Sequence, residues 1–160
     1  MILWIAFLYA ALNNLEILSY DISNTYIKAP CGEKLWTVAG KEFRIISDIL
    51  MKIQRALYSL KSAGNSWHRT LSMTLRNTDF ESSHADTDIW LRLSSNSRGE
   101  KYREWIVVYV DDLLAISENP KAIMDSFSMY DLKDTVRPPT RYLGANVGEW
   151  QVKMAHNAGG

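Results

Sequence analysis

Residues 105–116 read WIVVYVDDLLAI, an apolar and aromatic run interrupted by two adjacent aspartates, Asp111 and Asp112. Taking an unpaired carboxylate out of water costs several kcal/mol even after relaxation, so a pair placed here needs solvent or a cation. Side chains alternate along a strand, and neighbouring aspartates on a straight strand would face opposite sides. A turn removes the difficulty: WIVVYV ends one strand, LLAI begins the next, and Asp111 and Asp112 sit at the bend of a β-hairpin. A second apolar stretch, LEILSYDI, also alternates and also closes on an acid, Asp21. One hairpin carboxylate is therefore expected to aim at Asp21 on a neighbouring strand. Carboxylates at close range repel one another and raise their own pKa values. Hard oxygen-seeking cations such as Mg²⁺ remove that penalty. Asp is also a favoured turn residue, and acidic pairs occur at exposed hairpin tips with no metal, so the pattern by itself leaves both readings open.

The rest of the chain bounds what such a hairpin could belong to. At 160 residues, with 47% hydrophobic and 22% charged side chains, it has the length and composition of one globular domain. A single cysteine, Cys31, excludes an internal disulfide framework, and His68, His84 and His156 do not fall at zinc-ligand spacings with it. The formal net charge of zero gives no global attraction to a polyanion, so any nucleic acid must be held by local patches. The opening MILWIAFLYAAL is too short to span a bilayer and lacks a cleavage pattern; it reads as a buried core helix stopped by Asn13 and Asn14. No membrane partner is expected, and the setting reads as intracellular and not secreted.

Periodicity supplies the remaining elements. KLWTVAG reads as a short strand closed by Gly40, and IWLRL as another. In SWHRTLSMTLRN, Trp67, Leu71 and Leu75 recur every four residues and line one face of a helix. Asp79 to Asp88 is turn-like, SSNSRGEKYR reads as an exposed loop, Lys121 to Tyr130 as a helix, and Pro138-Pro139 admits only loop or extended chain. The fold class is α+β, with strands and helices mixed rather than strictly alternating.

Five stretches resemble the reverse transcriptases of copia-type LTR retrotransposons. YVDD at Tyr109 to Asp112 resembles their active-site hairpin, and AALNNLEILSYDISNTYIKAPCGEKLWTVAGKEF the segment holding the first catalytic aspartate. RALYSLKSAGNSW resembles the family's ALYGLK box with its following tryptophan. HADTDIWLR resembles the acidic turn and strand before the hairpin, and PPTRYLGANVGEW the stretch ending in the primer-grip YLG. The resemblance implies a palm-like domain over residues 1–160 with the YVDD hairpin, fingers and thumb incomplete, taken from a Pol polyprotein. It implies RNA-directed DNA polymerisation, in which two Mg²⁺ or Mn²⁺ ions, about 3.5–4 Å apart, serve transfer of a nucleotide to a primer 3′-OH.

Residue by residue, the resemblance assigns both metals to Asp21 and Asp111, with Asp112 completing the acidic cluster. It makes Tyr26 the steric gate under the sugar of a deoxynucleoside triphosphate, where an aromatic ring leaves no room for a 2′-OH. Tyr58, Ser59 and Lys61 would lie against nucleotide and template, with Lys61 near phosphate, and Tyr109 would flank the acids. Tyr142, Leu143 and Gly144 would hold the primer end of an RNA or DNA template-primer. Lys52, Arg55, Lys61 and Arg69 around the box, and Lys133, Arg137, Arg141 and Lys153 around YLG, could offset phosphates.

Departures are equally specific. Ser59 stands where the family has glycine, adding a side chain where backbone should approach substrate. Thr25 replaces a usual alanine and Gly64 a usual proline. The chain begins one helix before Asp21 and ends after YLG, so fingers, thumb and RNase H domain are expected partners outside it, and the piece alone is expected to be inactive. A non-catalytic, decayed remnant is one alternative. A haloacid-dehalogenase-like Mg²⁺ phosphatase is another, but it wants an acid where Ser23 stands and parallel strands with a helical crossover.

Overall fold

The structure is a computed structural model that describes residues 2–130, 138–142 and 145–148. Its centre is the strand pair that WIVVYVDDLLAI forms. Strand β6 (Lys101–Tyr109) is rich in β-branched and aromatic residues, which suit a half-buried pleated surface. It turns at Val110 and Asp111 into β7 (Asp112–Ser117), and the two pair antiparallel with Tyr109 opposite Asp112 and Trp105 opposite Ile116. Strand β1 (Glu16–Asp21) lies antiparallel on the far side of β7, and β5 (Ile89–Ser95) and β4 (Glu81–Ser82) continue the sheet in the order β1-β7-β6-β5-β4. A β1 that is antiparallel to its neighbour, with no crossover, lacks the parallel arrangement the phosphatase alternative requires.

Helix α3 (Ala63–Asn77) packs on one sheet face through the expected residues: Trp67, Leu71 and Leu75 are each buried. They join Phe80, Trp90, Ile106, Val108, Leu113, Ala115 and Phe127 in the larger core. Helix α4 (Pro120–Asp125) adds Ile123 and Met124 to it. Asn119 caps α4 by accepting the Ala122 N–H at 3.2 Å, with Pro120 at the first turn where its missing donor costs nothing. The helix is shorter than the expected 121–130 span, the following residues forming turns.

Helix α1 (Ile2–Leu12) lies over the opposite face. It ends as expected, with Asn14 in the left-handed region at φ 52° and the Asn13 amide donating to the Tyr9 carbonyl. It is not a buried core helix, however. Ala6 and Ala10 face Val107, Leu114 and Ile116, while Trp4 and Leu12 remain 74% and 77% exposed. Eleven residues apolar on every side have no preferred face, and the small side chains are the ones that allow the backbone close to the sheet.

The loop expectation for SSNSRGEKYR is also corrected: its ends belong to β5 and β6, with Ser95 opposite Lys101, and the connection is short. A separate ribbon of β2 (Trp36–Val38) and β3 (Leu50–Lys52), joined through a 3₁₀ segment at Lys41–Ile46, stands apart from the sheet with Ile45 fully exposed. Short α2 (Thr25–Lys28) follows β1, and β8 (Arg141–Tyr142) pairs with β9 (Ala145–Asn146).

Candidate nucleotidyl-transfer site

Register decides which aspartates meet. Across β1 and β7, Ile17 faces Ile116, Ser19 faces Leu114 and Asp21 faces Asp112. Directly opposed residues of an antiparallel pair have Cβ atoms about 4.5–5.5 Å apart. The carboxylates of Asp21 and Asp112 therefore lie side by side, on the sheet face that Ile17, Leu114 and Ile116 share with α1. Asp111 is one step away, in the turn, and touches β1 through its backbone: its carbonyl accepts the Ile22 N–H at 3.0 Å. The partner set opposite Asp21 is thus Asp112 by register, with Asp111 beside it. Among the described residues, no group of three or more His, Cys, Asp or Glu side chains is assembled at metal-holding spacing.

The turn itself is unusual. Val110 has φ 56°, a left-handed conformation that β-branched residues avoid, at a cost of roughly 1–3 kcal/mol. Its carbonyl accepts the indole N–H of Trp67 at 2.6 Å. Tyr109, just before it, is mostly exposed.

Tyr142 closes the acidic end of the α1 face. It is buried with Ala6, Ala10 and Leu114, and burial, followed by the negative charge of Asp112, pushes its phenol well above the usual tyrosine range. That phenol stays protonated and adds no third negative charge beside Asp21 and Asp112. Leu143 and Gly144 lie outside the described residues, as do Lys133, Arg137 and Lys153.

Tyr26 sits in α2, half-buried, its ring edge-on to Tyr58 with centroids 4.7 Å apart. Together with Trp67, His68, Asp88 and Val110 it lines a cleft of about 190 Å³ beside the turn. His68 and Asp88 approach to 3.3 Å at its rim. Ser59 explains the family's glycine differently from the expectation: it holds φ 74°, so the position demands left-handed backbone. Lys61 is exposed, two residues before α3. Its charge acts on Glu33, whose carboxylate accepts the Ser62 hydroxyl at 2.5 Å and the Ser62 N–H at 3.1 Å. The Ser62 hydrogen bonds, helped by Lys61, hold Glu33 below the usual carboxylate range.

Sequence reasoning gathered Asp21, Asp111, Asp112 and Tyr109 in one place. It missed the roles of Trp67 and Glu33. A buried tryptophan needs a partner for its N–H, which is a signal that a polar group lies within reach but does not say which.

Comparison with known proteins fits this geometry. The family model described as reverse transcriptase (RNA-dependent DNA polymerase) matches residues 2–154. The Gag-Pol polyproteins of transposons Ty1-BL and Ty1-MR1 of Saccharomyces cerevisiae (strain ATCC 204508 / S288c), and of transposon TyH3 of Saccharomyces cerevisiae, are each 29% identical over 126 residues, 76% of this chain. The chain spans 7% of the length of these relatives. No solved structure matches. No helix among the described residues is long and apolar enough to cross a membrane. With the match running through the strand that carries Asp21 and the hairpin that carries Asp111 and Asp112, the chain belongs to the copia-type reverse transcriptases.

Proposed function

We propose that residues 1–160 are the palm portion of an RNA-directed DNA polymerase from a retrotransposon Pol polyprotein, and that Asp21, Asp112 and Asp111 form its acidic centre. The observation that carries this is the register of Asp21 against Asp112 beside the Asp111 turn. Reverse transcriptases generally use divalent metal ions, and the donors here fit them: hard carboxylate oxygens in direct register, next to a phenol that remains neutral. Asp21 and Asp111 would hold the ions, as the resemblance implies, with Asp112, in register with Asp21, completing the cluster. Once bound, such a pair of ions activates the attacking hydroxyl and stabilises the leaving oxygen of the phosphoryl displacement.

The chain's own residues do the positioning, which is most of what phosphoryl transfer asks of a protein. Val110 and Tyr109 set the turn at the acidic centre. Tyr26, braced edge-on by Tyr58, is the steric gate under the nucleotide sugar and excludes a 2′-OH. Tyr58, Ser59 and Lys61 flank the nucleotide and template, and Tyr142, Leu143 and Gly144 hold the primer end. Partners are a template-primer, deoxynucleoside triphosphates and the other Pol subdomains, in an intracellular particle or the nucleus.

The isolated 160 residues should extend a labelled primer on an RNA template poorly or not at all, because a misplacement of about 1 Å already costs about a hundredfold in rate. A chimera supplying fingers and thumb from a related polymerase should extend it, and Asp112→Asn in that chimera should abolish extension. Full activity of Asp112→Asn would refute the assignment of the acidic centre.

A further inference from the structure

We infer that Trp67 is the positioning residue of the Asp111-Asp112 turn: its indole N–H, donated to the Val110 carbonyl, holds the strained turn in the shape that brings Asp111 and Asp112 to Asp21. The inference rests on the acidic-centre reading above for its consequence, but its geometry stands apart from that reading.

Three observations meet at this bond. Trp67 is 2% exposed and fixed on α3 at the bottom of the larger core, its ring edge-on to Tyr130 at 5.5 Å. It is therefore a rigid donor, and a tryptophan buried there must find an acceptor. Its N–H reaches across 43 residues of sequence to the Val110 carbonyl at 2.6 Å, a short bond made by side chain to a turn backbone. Val110 is held at φ 56°, where a β-branched residue persists only if its surroundings over-determine it. The neighbouring carbonyl, that of Asp111, accepts the Ile22 N–H at 3.0 Å, one residue after Asp21. The turn is pinned on one side by α3 and joined on the other to β1. Rotating the Val110 peptide out of reach of Trp67 would carry the adjoining Asp111 carbonyl away from Ile22 and loosen the end of the ladder at which Asp21 faces Asp112. Trp67 touches neither acid; it acts through the turn.

Amide hydrogen exchange on the 160-residue chain reads this directly. Trp67→Phe keeps the aromatic ring and removes the donor. It should speed exchange at the Ile22 amide by about tenfold or more, while core amides such as Ile106 and Leu114 change with global stability alone. Glycine adopts positive φ without penalty, so in a Val110→Gly background the same Trp67→Phe change should alter Ile22 exchange by less than about threefold. Mn²⁺ affinity, measured by calorimetry on the same proteins, should fall about tenfold in Trp67→Phe and recover in the double variant. Equal acceleration in both backgrounds, or acceleration spread evenly over the core, would make Trp67 a packing residue and overturn the inference. If Trp67→Phe does not fold, the wild-type indole proton decides: slow exchange with solvent supports the bond, and exchange at the rate of an exposed indole refutes it. Absence of Mn²⁺ binding in the wild-type chain would count against the acidic centre alone, leaving the Ile22 readout to judge Trp67.

Discussion

Trp67, Trp90, Phe80 and Phe127 close one face of the five-stranded sheet, whereas the other carries Ala6 and Ala10 of α1, Tyr142 and the carboxylates of Asp21 and Asp112. The first face is filled by large, fully buried side chains from α3, α4, β5 and the segments that follow the two helices. On the second the fully buried α1 residues are the small Ala6 and Ala10, with Leu3, Phe7 and Tyr9 only partly buried beside them, and Trp4, Leu8 and Leu12 face outward. The same strands serve both, because alternation sends Leu113 and Ala115 to one side and Asp112 and Leu114 to the other. Apolar packing and carboxylates are thus separated by one residue along a strand: the face with α3 and α4 holds the larger core, and the face with α1 carries Asp21 and Asp112.

The strongest way to test that division is to break the larger core. Trp90→Ala removes a 2% exposed side chain whose ring also carries the Arg76 guanidinium at 5.7 Å. Large-to-small changes of this kind cost about 3–5 kcal/mol, a large share of a total near 5–15 kcal/mol. Urea denaturation should show that loss. Asp112→Asn, on the opposite face, is a near-isosteric change at a partly exposed position and should change stability by less than about 1 kcal/mol. It should instead lower Mn²⁺ affinity by about tenfold or more, read by calorimetry. A Trp90→Ala chain as stable as wild type would dissolve the distinction between the faces.

How much of this division could be read in the sequence follows from what each signal depends on. The ends of β1, β6 and β7 were legible because β-branched alternation and a pair of turn-favouring acids are local. The helix face of Trp67, Leu71 and Leu75 was legible for the same reason. Pairing is not local. That Asp112 and not Asp111 stands opposite Asp21 depends on how β1 slides along β7, and a shift of one residue would have reversed it. The side of α1 that packs was hidden by its uniform apolarity, and the strand character of Lys101 to Arg103 by their charge, since their pairing with Ser95 to Leu93 is made by backbone. Ser59 stands out in the sequence as a departure, but its reason, φ 74°, is a backbone property that only the fold displays.

Ser59 offers a smaller effect that sharpens the comparison from the α3 side. An L-residue in the left-handed region costs roughly 1–2 kcal/mol, and glycine pays back part of that in chain entropy. Ser59→Gly should therefore stabilise the chain by about 1 kcal/mol, raising the denaturation midpoint while leaving Mn²⁺ affinity unchanged. Destabilisation would mean that the exposed Ser59 side chain makes an interaction worth more than the strain.

The smallest expected effect is set by pH, and it tells whether acid loosens the hold on α3. Glu33 reaches the start of α3 and accepts both the hydroxyl and the N–H of Ser62, where the exposed donors of a helix N-terminus favour a negative charge. Those hydrogen bonds, with Lys61 nearby, hold its carboxyl below the ordinary value. The sign follows from which state binds the proton more tightly. Unfolded, Glu33 takes up a proton near its ordinary pKa of about 4.3; folded, it resists until the pH is lower. Its contribution is therefore fully present above the unfolded pKa and is lost as pH falls through the folded one. Thermal melts at a series of pH values below about 5 should show the wild-type midpoint dropping more steeply than that of Glu33→Gln, with the two curves parallel above that range. Glutamine cannot carry the charge, so parallel curves throughout would mean that the Glu33 link to Ser62 does not help hold α3, and that α3 depends on its apolar core alone.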